Sequence, residues 1–457
     1  MSLIVENEIQ WLTEIILPKI LRNGKLFDDN SESLAKTFEV KGVQINVIGA
    51  DEAYMLTLCY RATIELKYAG QQLQRKLVVK KTPKLSAELY DVIQFDNLFN
   101  NEVIFYTEIL PVIQEQSQGK FAAPKYYYSE IKADAALIIL GDFASDGWSV
   151  TKDLFGLSLE HARIAVKYLG TFHGFGFAMK HTEPQRFQQL AAKLREARFA
   201  KETISPEWAL KHKVSLKRAE RVAALYQPQV DKEFIRRFQQ LVYSYIGYGR
   251  QRVAPREPLS TLCHGDYLRN NVAYKYDTDN SGTPLDIMMF DYQTMRVSSP
   301  MIDLSVFLAL SLLAEVRYAN FDTLFDDYCN ALSESYRTRT SQPLPEFLGR
   351  ESLLREYIQF LPYAIHITSY FLMSLVAPPL ISPADGFEAE ISPKEIIQTA
   401  AEQGGELVDR EIAHQLKELY ELSHLHNVQI EENIDTSKWA QEAAKFINHT
   451  TELYESD

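Results

Sequence analysis

The stretch Ser260–Leu308, STLCHGDYLRNNVAYKYDTDNSGTPLDIMMFDYQTMRVSSPMIDLSVFL, constrains this chain more than any other, because acids and an asparagine stand at the joints of a predicted loop, hairpin and loop. His264, Gly265 and Asp266 follow the short apolar run Leu259–Cys263, and Asn271 comes five positions after Asp266, where the alternating run Val272–Tyr276 begins. Asp277, Asn280, Ser281 and Gly282 supply turn residues, and a second apolar run, Ile287–Phe290, ends at Asp291. Such a hairpin brings Asp266, Asn271 and Asp291 to one end although Asp291 lies 25 residues beyond Asp266. Phosphoryl transfer needs a carboxylate that accepts the proton of the attacking hydroxyl and oxygen ligands that hold Mg²⁺ on nucleotide phosphates. H-x-D-x-x-x-x-N, with an Asp closing the second strand, supplies both.

The surrounding chain is globular in composition. Its 457 residues are 46% hydrophobic, enough for lobes of unequal size. A net charge of −13 without Lys/Arg runs argues against a nucleic-acid footprint. Cys59, Cys263 and Cys329 are widely separated, without metal-ligand spacing, which reads as free thiols in a reducing cytoplasm. The amino terminus lacks a charged n-region and a long apolar core, so no signal peptide is expected. Tyr357–Ala377 is the most apolar stretch, but Gln359, Pro362, His366, Thr368 and Ser369 interrupt it, which predicts a buried helix and no membrane span.

Along the chain, Asn7–Asn23 carries Ile9, Leu12, Ile15, Ile16, Ile20 and Leu21 at helical spacing before Gly24. The period then changes to two over Val43–Val47, Leu56–Leu66 and Leu73–Lys80, predicting three antiparallel strands in series. A helix over Phe95–Tyr106 carries Glu102, and the apolar run Ala135–Leu140 breaks at Gly141–Trp148. Beyond Trp148 the period is helical nearly to the end, interrupted only by the hairpin. Gly174-Phe175-Gly176 mimics part of a dinucleotide fingerprint but lacks a third glycine and a preceding strand, so it is set aside.

The segments HGDYLRNN, DYQ and SPMIDL together resemble the ecdysteroid kinase-like family, whose pattern runs H-G-D-x-x-x-N-N, D-[FY]-Q and S-P-x-x-D-L, within the kinase fold used by choline kinases and aminoglycoside phosphotransferases. The resemblance covers roughly Ile45 to Tyr336 and is most specific in the hairpin region. It implies an α+β, bilobal protein kinase-like fold: a small antiparallel N-terminal lobe over 1–140, a hinge at 141–148 and a large, mainly helical C-terminal lobe over 149–457, with the catalytic hairpin at 260–308. It implies ATP and Mg²⁺ as cofactors and a small-molecule hydroxyl as acceptor; with the charge, cysteine and hydropathy readings above, no nucleic-acid or membrane partner is expected, and the protein is expected to be a cytoplasmic monomer. Asp266 is then the base, Asn271 and Asp291 the Mg²⁺ ligands, His264 the residue that orients the catalytic loop, and Asp303 a brace beneath it.

The same resemblance places Gly49 in the hairpin over the phosphates, with Glu52 where the family has Asn. It assigns the phosphate clamp as Lys80 with Glu102, Lys80 standing three before Pro83 as in the family's V-K-x-x-P, with Lys81 the competing lysine. It puts backbone groups of Gly141, Asp142 and Phe143 at the adenine, Gly141 replacing a customary Glu. His173 reads as a satisfied buried histidine. The aromatic stripe Tyr357, Phe360, Tyr363, Tyr370 and Phe371 reads either as core, the commoner place for such a stripe, or as the lining of an apolar pocket, and most of Glu315, Asp322, Asp326, Asp327, Glu351 and Glu356 read as solvated surface, so a lipophilic, ecdysteroid-like alcohol is expected over a cationic acceptor. The alternatives are a nucleotide- or hydrophobic-ligand-binding pseudokinase and a choline- or aminoglycoside-type kinase.

Overall fold

Alternation along the strands decides what each face of the sheet touches. In the computed structural model, which describes residues 3–22, 26, 38–48, 56–68, 70–132, 135–152, 155–277, 282–377 and 392–448, five antiparallel strands pair in the order β1-β2-β3-β5-β4. They are β1 (Phe38–Val47), β2 (Leu58–Tyr68), β3 (Gln71–Lys81), β4 (Tyr126–Lys132) and β5 (Ala135–Gly141). One face presents Tyr60, Ala62, Ile64, Leu77, Val79 and Ile139 to Leu12, Ile16, Leu17 and Ile20 of the leading helical segment. That segment runs from Leu3 to Arg22 through a π turn at Leu12–Ile16, starting earlier than Asn7. The opposite face presents Ala136, Ile138 and Leu140 to the core that includes Phe95, Leu98 and Phe99 of the helix Phe95–Ile104.

A period of two separates adjacent residues onto opposite faces, and this distinguishes Lys80 from Lys81. Lys81 shares its face with Leu77 and Val79, is bonded to Glu8 at 2.8 and 2.9 Å, and lies over the Trp11 ring. Lys80, paired in register with Cys59 and Ile138, points the other way, toward the helix that carries Glu102.

The helical lobe forms around Leu159–Thr182, which Ser158 caps by accepting from His161 N–H. It packs closely along Phe321–Thr340, and its glycines permit the approach. A Cβ on Gly170 would lie 2.4 Å from the Tyr328 carbonyl oxygen, and one on Gly174 would lie 1.9 Å from Ser335 Oγ. In the Gly-Phe-Gly run, Gly174 thus serves this packing, while a Cβ on Gly176 would lie 2.3 Å from Thr261 Oγ1. The helix Met301–Ser311 is buried along its whole length, and Arg350–Val376 lies against it. No helix among the described residues is long and apolar enough to cross a membrane.

Because the obstruction at Gly170 is backbone, Gly170→Ala must separate the two helices, and overpacking outweighs the gain in helix propensity. It is expected to cost about 1–2 kcal/mol, read as a lower midpoint in thermal or denaturant unfolding. An unchanged midpoint would mean the helices are not in this contact.

Candidate active site

The hairpin expected after Asn271 forms, and it is pinned at its base by an element that sequence reading missed. β6 (Thr261–Cys263) pairs with β9 (Arg296–Ser298), and β7 (Val272–Tyr276) pairs with β8 (Pro284–Met289). Together they bring the start of the His264–Asp266 loop beside the segment that follows Asp291. Gly265 sits at φ +81°, and a Cβ there would lie 2.1 Å from the Thr294 carbonyl oxygen, so both conformation and space require glycine.

Asp303 holds this loop from below. Its carboxylate accepts from the backbone N–H of His264 and of Gly265, each at 2.7 Å, and faces His173 Nε2 at 3.1 Å, while His173 Nδ1 meets the Tyr328 hydroxyl at 2.8 Å. His173, Cys263 and Asp303 have potential ligand atoms within 4.8 Å of one another. Each is already engaged inside the chain, Cys263 Sγ with the carbonyls of Ser298 and Ser299, so the cluster braces the loop. His264 is wholly buried, with Nε2 against the Phe290 carbonyl at 2.9 Å. Its ring is thus tied to the strand end that precedes Asp291.

Above the loop, Asp266 is partly exposed. Asn271 Nδ2 donates to its backbone oxygen at 2.8 Å and to Oδ2 at 3.1 Å. Asp291 has φ 64° and ψ 63°, a left-handed conformation uncommon for a residue with a side chain and often found where a group must be aimed. Lys80 Nζ donates to Asp291 Oδ1 at 2.5 Å and to Glu102 Oε2 at 2.8 Å. Burial pushes the Glu102 carboxyl up to about 7 against the pull of Lys80. Two carboxylates therefore share one ammonium, and with the oxygens of Asn271 and Asp266 nearby the donor set is all oxygen, which fits a hard divalent cation.

The hinge is less open than its sequence suggests. The N–H of Gly141 goes to the Lys125 carbonyl at 2.7 Å and that of Asp142 to the Lys76 carbonyl at 3.0 Å, while the Asp142 carboxylate caps Ala144 N–H at 3.1 Å. Asp142 thus shapes the turn with both of its donor and acceptor groups. The Phe143 ring packs on Phe290, the residue before Asp291, with centroids 5.0 Å apart. Gly49 lies outside the described residues.

Burial decides between the two readings of the aromatic stripe, in favour of core for four of its five members. Tyr357 packs on Phe321 and Phe325, and Phe360 lies against Arg252, so both belong to the core. Tyr363 and Tyr370 are also buried, and Phe371 alone of the five is half-buried, on the Asp266 side. Glu356 is buried and bonded to Arg256, because one turn of the helix turns it inward.

Sequence reading missed Arg198, whose Nη2 donates to Asp266 Oδ1 at 3.1 Å. It sits in LREARFAKE, which reads as a charged connector with no recognisable spacing. Its neighbours tie this connector to the helix of Glu102: Asn101 Nδ2 donates to the Arg195 carbonyl at 2.7 Å and Asn101 Oδ1 accepts from Arg195 N–H at 2.8 Å.

A model of the ecdysteroid kinase-like family matches residues 51–340, more than half of the chain. No curated protein matches it in sequence. Among solved structures it is similar to a spectinomycin phosphotransferase in complex with ADP and spectinomycin, at 12% identity over 79% of this chain and 93% of that chain, TM-score 0.35. It is also similar to the GDP complex of an aminoglycoside 2′-phosphotransferase, at 13% identity over 79% and 90%, TM-score 0.33. An aminoglycoside phosphotransferase from Streptomyces rimosus matches at 12% identity over 70% and 92%, TM-score 0.28.

Removing the Asp303 carboxylate would leave two buried N–H groups and His173 without their partner. Asp303→Ala is therefore expected to cost about 3 kcal/mol, and Asp303→Asn, which retains one acceptor oxygen, distinctly less. Chemical denaturation measures both, and equal stability of the two variants would show that the amides do not depend on this carboxylate.

Proposed function

The chain belongs to the ecdysteroid kinase-like family, and on that premise and the geometry of its cleft we propose that it transfers the γ-phosphoryl group of ATP, with Mg²⁺, to a hydroxyl of a lipophilic alcohol of the ecdysteroid kind. The family and the fold are those of a small-molecule phosphotransferase. The observation that carries the finer reading is Lys80, held between Glu102 of the small lobe and Asp291 of the hairpin, with Asp266 and Asn271 at the same hairpin end.

In this reading Lys80 contacts the nucleotide phosphates and Glu102 keeps it extended toward them. Asp291 and Asn271 would hold Mg²⁺, which supplies charge neutralisation on the phosphates. Asp266 accepts the proton of the acceptor hydroxyl as its oxygen attacks phosphorus, and Asn271 keeps that carboxylate oriented. His264 and Asp303 fix the loop on which Asp266 stands.

The run from Asp291 to the helix at Met301 is short and forms β9 on the way, which leaves no peptide-docking activation segment and favours a small acceptor. A binding-only protein predicts a damaged catalytic set, whereas Lys80, Glu102, Asp266, Asn271 and Asp291 all stand together. The half-buried Phe371 and Trp208 supply apolar surface near Asp266, which favours a lipophilic acceptor.

Asp266→Asn is expected to lower kcat by about 10²–10⁴ while nucleotide affinity stays nearly unchanged, since the lost base serves proton acceptance only. Turnover within tenfold of the parent would remove Asp266 from that role. Asp291→Ala should abolish the Mg²⁺-dependent part of the thermal stabilisation given by a non-hydrolysable ATP analogue, because a ligand stabilises only through binding the folded state. Equal Mg²⁺-dependent shifts in variant and parent would mean the metal is held elsewhere.

A further inference from the structure

Arg198 stands beside the proposed base, and its chain is held too firmly for a surface connector. The Arg250 guanidinium donates to the carbonyls of Phe199, Ala200 and Lys201. Glu196 accepts from Phe199 N–H at 2.9 Å and pairs with Arg296 at 2.8 Å. The side chain of Arg198 is only 15% exposed and its guanidinium lies over the Phe371 ring at 5.6 Å. A guanidinium has five N–H donors. One reaches Asp266, and the others make no hydrogen bond among the described residues.

An acceptor hydroxyl must come within hydrogen-bond reach of the Asp266 carboxylate. Since Arg198 Nη2 is itself 3.1 Å from Oδ1, a hydroxyl bound at that oxygen lies within roughly 6 Å of the guanidinium. A second oxygen one to three carbons away on the same molecule can then accept directly from Arg198. A positive charge at that place meets the opposite situation. Arg198 already covers the face of Phe371, and Lys211 lies over the neighbouring Trp208 ring at 5.1 Å, with no ion pair among the described residues. The aromatic faces that would hold an ammonium are covered by the chain's own cations.

Resting on the kinase reading above, we propose that Arg198 is a specificity-determining residue: it selects alcohols that carry a second, uncharged oxygen close to the phosphorylated hydroxyl and rejects alcohols that carry an ammonium there. The transfer itself is that described above, so Arg198 adds recognition and no chemical step. A charge-assisted hydrogen bond made or lost here should change kcat/KM by roughly tenfold to a hundredfold, and like-charge repulsion at this distance acts in the same range.

The test uses the full chain and three alcohols sharing one sterol skeleton: a 1,2-diol, the mono-alcohol lacking the second oxygen, and the amino alcohol carrying an ammonium in its place. The parent protein should prefer the diol to the mono-alcohol by at least about tenfold and use the amino alcohol least. Arg198→Gln should compress this ordering while still phosphorylating the mono-alcohol, and Arg198→Lys should keep the rejection of the amino alcohol. A loss of rate in Arg198→Gln that is equal for all three acceptors would show a role in positioning Asp266 alone and overturn the proposal. So would a parent protein that does not prefer the diol, a measurement that stands even if the Gln variant fails to fold. Absence of transfer to any of the three by a parent that binds nucleotide would instead overturn the kinase reading, and the inference with it.

Discussion

A single buried ammonium, Lys80 Nζ, joins the sheet, the helix of Glu102 and the hairpin end at Asp291. In a low-dielectric interior an unpaired charge is costly, so removing either partner strands the others, and the three elements keep their relation only together. The sheet's alternation is what delivers Lys80 here and sends Lys81 to Glu8 on the opposite face. A one-residue slip of β3 would exchange them and destroy the cluster.

The His264–Asp266 loop depends on a second set of buried polar groups. Asp303 presents one carboxylate to two successive amides, Gly265 gives the turn its left-handed backbone, and His173 and Tyr328 complete the chain of bonds into the helical core. These residues lie on four elements, and all meet behind Asp266. The connector over 193–201 adds a third tie: Asn101, next to Glu102, grips Arg195, and three residues later Arg198 grips Asp266. The Lys80–Glu102 pair and Asp266 are thus linked through one short segment.

Much of this was legible in the sequence, for physical reasons that differ by residue. The hairpin and its three polar ends showed because turn residues and period-two runs are local signals. The separation of Lys80 from Lys81 follows from the same period once the strand is granted. β4 was not seen, because Tyr126–Lys132 is an edge strand of mixed exposure with no clean alternation. The start of the helix Pro206–Tyr226 is legible, since Ser205 and Pro206 are a cap and a first-turn proline. Helical periodicity alone does not separate Lys232–Val242 from Tyr245–Val253; the break is made by Ser244, which caps the second helix by accepting from Gly247 N–H. Arg198 and the inward turn of Glu356 were invisible, since both are decided by contacts between elements distant in sequence.

The account's central claim is that Lys80, Asn271 and Asp291 form one site for a metal-bound nucleotide. The most direct measurement is a crystal structure with Mn²⁺ and a non-hydrolysable ATP analogue, in which anomalous scattering locates the metal. The account predicts Mn²⁺ at about 2.0–2.3 Å from oxygens of both Asp291 and Asn271, with Lys80 released from Asp291 to the phosphates and still bonded to Glu102. A nucleotide bound with its metal away from Asp291, or with Lys80 still paired to Asp291, would contradict it.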